Sequence, residues 1–107
     1  MFAAEFEPAE MGRRRSMRSP VSLDARIGKT TRALCKVVDI SVHGARLQTY
    51  SALTRGGTIW LTLPGIGQRA ADVVWADDFL AGCQFHQPLD ADAFESLVAL
   101  DVGAARR

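Results

Sequence analysis

No apolar run in this 107-residue sequence approaches the roughly 18 to 20 residues that a helix needs to cross a bilayer, so no membrane span is expected. The opening residues, Met1-Phe2-Ala3-Ala4-Glu5-Phe6-Glu7, are acidic and lack an apolar core. That argues against a secretory signal and makes the cytoplasm the expected location. Cysteine is scarce. Cys35 and Cys83 stand apart in apolar, strand-like contexts without the close Cys or His spacing of a zinc site, so both read as buried free thiols. Neither sign of charge dominates: 13 basic against 12 acidic residues leave a net charge of +1, so the chain as a whole is no polyanion binder. Internal repeats and low-complexity tracts are missing as well.

What remains is the profile of one small soluble domain. The apolar fraction is 48%, ordinary for a globular chain. A chain of this length buries roughly 60 to 68% of its unfolded surface and needs no staples. Residues 1–12 contain Pro8 and Gly12 and show no clean periodicity, which marks a flexible N-terminal arm. The folded domain is expected over 13–101, with 102–107 a frayed tail. Charge is unevenly placed: four of the 13 basic residues fall between Arg13 and Arg18, while the first ten residues carry only acids.

From Pro20 onward the pattern alternates. Val21, Leu23, Ala25 and Ile27 share one face of a first strand that ends at Gly28-Lys29. A second runs from Thr31 to Asp39 with Ala33, Cys35 and Val37 on one face, and a third from Ala45 to Thr49. After a turn at Thr54-Arg55-Gly56-Gly57, Ile59, Leu61 and Leu63 face inward on a fourth strand, Thr58 to Leu63. Pro64-Gly65-Ile66-Gly67 turns the chain into a fifth, Gln68 to Ala76. Asp77-Asp78 connects it to a sixth, Phe79 to His86. Trp75 shares parity with Ala71 and Val73 and reads as core or helix packing; Trp60 has outward parity, as a docking contact or a residue covered by the arm or helix. The last element is helical. Asp90 is the expected N-cap, Phe94, Leu97 and Val98 form an apolar stripe, and the helix is expected to end near Leu100 to Gly103, with Gly103 as the C-cap. Six short strands with hairpin-sized connections, and no helical crossovers, must close on themselves to hide their apolar side. The expected fold is all-β: a six-stranded antiparallel barrel with a C-terminal helix.

Two stretches carry the chemistry. In Arg13-Arg14-Arg15-Ser16-Met17-Arg18, four guanidiniums in six residues offer planar, bidentate donors to phosphate and faces that stack on a base. The same cluster can be a solvated basic face. Non-specific nucleic-acid binding is a further reading, weakened because no interleaved aromatics or further basic stripe extend the footprint, and specific nucleic-acid binding is not expected. In Asp39-Ile40-Ser41-Val42-His43-Gly44, short polar side chains either bond the local turn or clamp a planar polar edge; a side chain at Gly44 would block a turn or a ligand. His43 reads as exposed without a role. Catalysis is not expected. Asp77-Asp78 lies in a solvated hairpin without a histidine nearby, and Ser41 lacks an activated base with an orienting third group.

Arg14-x-x-x-Arg18 followed by Asp39-x-Ser41-x-x-Gly44 resembles the paired signature of PilZ domains, bacterial receptors for cyclic di-GMP. The resemblance covers about residues 12 to 100. Arg18-Ser19-Pro20-Val21 is similar to the family's lead into its first strand, and Val73-Val74-Trp75 with Ala81-Gly82-Cys83-Gln84-Phe85 to its closing hairpin. The family fold is the barrel with a C-terminal helix. By this resemblance, Arg14 and Arg18 would grip the phosphates and guanine faces, Asp39 would accept from a guanine edge, Ser41 would add a polar contact, and Gly44 would permit close backbone approach. A carboxylate accepts from the N1 and N2 hydrogens of guanine but meets only acceptors at N1 and N3 of adenine, so Asp39 would supply base selectivity. Arg13 and Arg15 would add phosphate or stacking contacts, Arg13 favouring a second, stacked ligand molecule. No motif position is missing, which favours the binding branch of the family. The expectation is a non-enzymatic receptor without a cofactor whose ligand is cyclic di-GMP. Ligand would order the arginine arm and pass the signal to a separate protein effector, the chain itself being a monomer or weak homodimer. The alternative is a ligand-independent adaptor that docks a motility or pilus-assembly protein.

Overall fold

A computed structural model of the chain describes residues 18–30 and 33–105. The arm expected over 1–12, and Arg13, Arg14 and Arg15 with it, lie outside the described residues. Six strands follow in order: β1 (Ser19–Ile27), β2 (Ala33–Ile40), β3 (Gly44–Thr49), β4 (Thr58–Leu63), β5 (Gly67–Asp77) and β6 (Leu80–Phe85). One helix, α1 (Ala91–Ala105), completes the domain. The strands form a closed barrel in the order β1-β2-β3-β6-β5-β4, each neighbour pair antiparallel. The β1–β4 closure is short. Arg26 pairs with Thr62 and Ile27 with Leu61, and the Gly28 N–H extends the seam by donating to the Trp60 carbonyl at 2.8 Å.

Alternation decides what enters the barrel. Val21, Leu23 and Ala25 of β1 are buried, as are Cys35 and Val37 of β2, Ala45 and Leu47 of β3, Leu61 and Leu63 of β4, and Cys83 and Phe85 of β6. Helix α1 opens as expected: the Asp90 carboxylate accepts from the Ala93 N–H at 2.7 Å, capping one of the free amides of the first turn. Leu97 is fully buried, with Phe94 and Val98 packed beside it on the core. Near the other end, the Ser22 N–H of β1 donates to the Asp101 carboxylate at 2.9 Å, tying helix to barrel.

Two expectations fail, each for a local reason. The helix continues through Gly103 to Ala105, into the segment expected to be a frayed tail. A single glycine costs about 1 kcal/mol relative to alanine, and the two alanines after it are the best helix formers. Trp75 is not in the core. The β5–β6 register shifts between Val73 and Trp75, leaving both Val74 and Trp75 exposed on the outer face. The Trp75 indole lies across Gly82, where a Cβ would overlap it. The parity of β2 breaks in the same way. Its registers with β1 and with β3 both shift around Val38, so Ile40 turns inward beside Ala45 while Asp39 pairs with Pro20 and Arg46 on the outer face. A bulge of this kind re-aims a side chain without ending the strand. Trp60 is covered from one side, by the Lys29 ammonium 4.8 Å from its ring centroid.

Candidate functional site

The β2–β3 connection, Ser41-Val42-His43, is held on every side. The Ser41 N–H donates to the Gly44 carbonyl at 2.9 Å, and the Ser41 hydroxyl oxygen accepts from the His43 and Gly44 N–H groups, each at 3.2 Å. Serine is favoured here because its short side chain can replace a backbone acceptor in a tight turn. Neighbouring segments clamp the turn from outside: the Phe85 N–H donates to the His43 carbonyl and the Leu89 N–H to the Val42 carbonyl, both at 2.8 Å. Gly44 leaves room for strand β6, since a Cβ there would overlap the Cys83 carbonyl oxygen. Of the two uses open to Ser41 and Gly44, the structure displays the architectural one. It makes the turn rigid.

The bulge in β2 places Asp39 beside this turn with only 8% of its side chain exposed. Its Oδ2 accepts from Arg18 Nη1 at 3.0 Å and from Arg46 Nη2 at 3.1 Å. Its Oδ1 is buried and meets no donor among the described residues. The two guanidiniums are largely open to solvent, with 64% of the Arg18 side chain and 46% of the Arg46 side chain exposed. Two cations around one carboxylate leave the corner with an excess positive charge, directed outward.

Beside it lies a cleft of about 280 Å³ lined by Arg18, Ser41, His43, Gly44, Val74, Cys83 and Gln84. Ligand pockets commonly measure roughly 300 to 1,000 Å³, so this cleft falls just below the range of a complete ligand site. Arg18, Asp39, Ser41 and Gly44 thus meet at one corner of the barrel, although Arg18 and Asp39 are 21 residues apart in sequence. Arg46 was not singled out from the sequence. Its signal was present, two positions after Gly44, but only the bulge makes it the direct cross-strand neighbour of Asp39.

The remaining features are of other kinds. A larger hollow of about 560 Å³ lies between β5 and the lead into α1, lined by Arg69, His86, Gln87 and Asp90 among others. Its charges have both signs, so it concentrates no field for a polyanion. Cys35 and Cys83 are free and buried in the barrel. Burial first, and the neighbouring Cys83 and Asp24 after it, push the Cys35 thiol up to about 11; burial likewise pushes Cys83 up to about 11. Both are protonated and unreactive at neutral pH. Among the described residues no three His, Cys, Asp or Glu side chains cluster as metal ligands, and no helix is long and apolar enough to cross a membrane.

The model of the PilZ domain family matches residues 12–100. The match takes in the barrel, most of the helix and both arginine-bearing and turn motifs, and the chain belongs to the PilZ domain family. No curated protein matches it.

Proposed function

We propose that this domain is a receptor for cyclic di-GMP, with Arg14, Arg18, Asp39, Ser41 and Gly44 forming its binding site and Arg13 and Arg15 adding contacts. The observation that supports this most is the 3.0 Å contact between Arg18 of the first motif and Asp39 of the second, at the lip of a cleft just below the range of a complete ligand site. A site in two parts follows. The clamped turn supplies a fixed wall, with Asp39 set to read a guanine edge. The arginine segment supplies the cover, Arg14 and Arg18 taking the phosphates. Each charge-assisted hydrogen bond to phosphate contributes roughly 1.5 to 3 kcal/mol, so two or three suffice to draw that segment across the barrel mouth. The surface shown to a separate effector, or to a second copy of the chain, changes as a result.

Isothermal titration with cyclic di-GMP tests the reading and returns the number of ligand molecules bound. Saturable binding is expected; none at about 100 μM ligand would sink it. Arg14→Ala and Arg18→Ala should each remove most of the affinity and keep the circular dichroism spectrum of the barrel.

A second reading has its own support. Leu34, Tyr50, Phe79 and Leu80 are exposed large hydrophobics at the opposite end of β2, β3 and β6 from Asp39. An adaptor that docks a motility or pilus-assembly protein without ligand would use such a face. A partner whose binding is indifferent to cyclic di-GMP would favour it.

A further inference from the structure

The two arginines around Asp39 are not equivalent. A carboxylate oxygen has two lone pairs, and both on Oδ2 are taken, by Arg18 and by Arg46. A guanine edge presents two parallel donors and engages a carboxylate fully only when each oxygen takes one. Oδ1 is buried and has no partner among the described residues. Docking of a guanine therefore requires one arginine to withdraw, freeing Oδ2 and opening the way to the carboxylate.

Position says which one goes. Arg18 precedes the first residue of β1, and its side chain is the more exposed of the two. Arg46 sits within β3, its backbone directly opposite Asp39 in the β2–β3 ladder. Opposite charges at directly paired positions across two strands hold each other in register. We propose that Arg46 is a positioning residue of the ligand site, holding the Asp39 carboxylate in place while Arg18 leaves it for the ligand. This rests on the cyclic di-GMP reading above. Binding is then an exchange of partners: Arg18 trades a carboxylate oxygen for a phosphate oxygen, the guanine takes the vacated lone pair, and Arg46 stays. Without Arg46, the departure of Arg18 would strand a carboxylate with 8% exposure and no cation. Asp39 would then retain Arg18, and ligand would have to compete for it.

The test is a double-mutant cycle read by calorimetric titration with cyclic di-GMP, on the whole chain. Arg46→Ala should weaken binding about tenfold to a hundredfold, and Arg46→Lys, which keeps the cation, should recover most of the loss. On an Asp39→Ala background, Arg46→Ala should add less than about a twofold change, because Arg46 acts through Asp39. Equal losses on both backgrounds would mean that Arg46 touches the ligand itself and would overturn the proposal, as would unimpaired binding by Arg46→Ala. Should the alanine variant fail to melt cooperatively, Arg46→Gln against Arg46→Lys makes the same comparison. Absence of wild-type binding refutes the receptor reading and takes this proposal with it; wild-type binding with an indifferent Arg46 refutes this proposal alone.

Discussion

Asp39 and Asp72 both sit on the outer face of the barrel, and each accepts two side-chain hydrogen bonds on a single oxygen. Asp39 Oδ2 takes Arg18 and Arg46 at 3.0 and 3.1 Å; Asp72 Oδ1 takes the Thr58 hydroxyl and the His86 ring, both at 2.8 Å. What separates them is burial, 8% of the side chain exposed at Asp39 against 53% at Asp72. The Asp72 side chain is open to solvent, so its second oxygen needs no donor from the protein. That of Asp39 is shielded, and only a donor from the protein or from a ligand can satisfy it. The same pair of contacts is thus a solvated surface bridge at one place and a shielded, half-satisfied carboxylate at the other.

The largest expected effect comes from stripping each carboxylate of its partners. The double variant Arg18→Ala/Arg46→Ala leaves a shielded charge without a cation, which costs about 3 kcal/mol of folding stability, read as a lower urea midpoint. Thr58→Ala/His86→Ala should lower the midpoint only slightly, because solvent already reaches Asp72 and takes over most of what its partners supply. Equal shifts in both pairs would mean that burial does not distinguish the two sites.

Removing Asp39 itself should do the reverse. Asp39→Ala leaves two guanidiniums that water already hydrates, so stability should fall by less than about 1 kcal/mol, well short of the double arginine variant. Affinity for cyclic di-GMP should drop severalfold or more, and the preference over cyclic di-AMP should narrow in a competition titration. A variant that unfolds would show that Asp39 holds the barrel together and would weaken its assignment as a reader of guanine.

Most of this architecture was legible in the sequence because it follows from alternation, turn residues and one helix cap. The inward faces of Val21, Leu23 and Ala25, and of Leu61 and Leu63, are where period-two spacing puts them, and Asp90 caps the helix. Parity counting breaks wherever a strand gains a residue, and nothing in Val37-Val38-Asp39 or Val73-Val74-Trp75 announces that gain. Bulges are a property of paired strands, not of one segment. For that reason the sequence supplied the identities of Arg18 and Asp39 but not Arg46, which joins them only through the β2–β3 register. It also placed Trp75 inside when the glycine opposite, Gly82, leaves it a seat outside. The architectural service of Gly44 was hidden for a similar reason, since the atom it avoids belongs to β6, some 40 residues away.

The smallest effect belongs to the exposed member of the comparison and shows in its dependence on pH. Hydrogen bonds from His86, and then from Thr58, hold the Asp72 carboxyl below its ordinary 3.8. A carboxyl whose folded pKa is depressed stabilises the fold above its unfolded value and loses that contribution as pH falls through the folded one. The contribution is whole at neutral pH and fades below 3.8. Asp72→Asn keeps the size of the side chain and removes its charge, so a small drop in melting temperature is expected at pH 7, shrinking as the pH falls below 3.8 and through the depressed folded pKa. Salt at about 1 M, where the screening length falls to about 3 Å, should reduce the difference at pH 7 as well. The Arg18–Asp39–Arg46 group should respond less, since its carboxylate, though not its two guanidiniums, is shielded from water. If salt weakened both groups alike, Asp39 would be as open to solvent as Asp72, and the physical basis for setting the two sites apart would be gone.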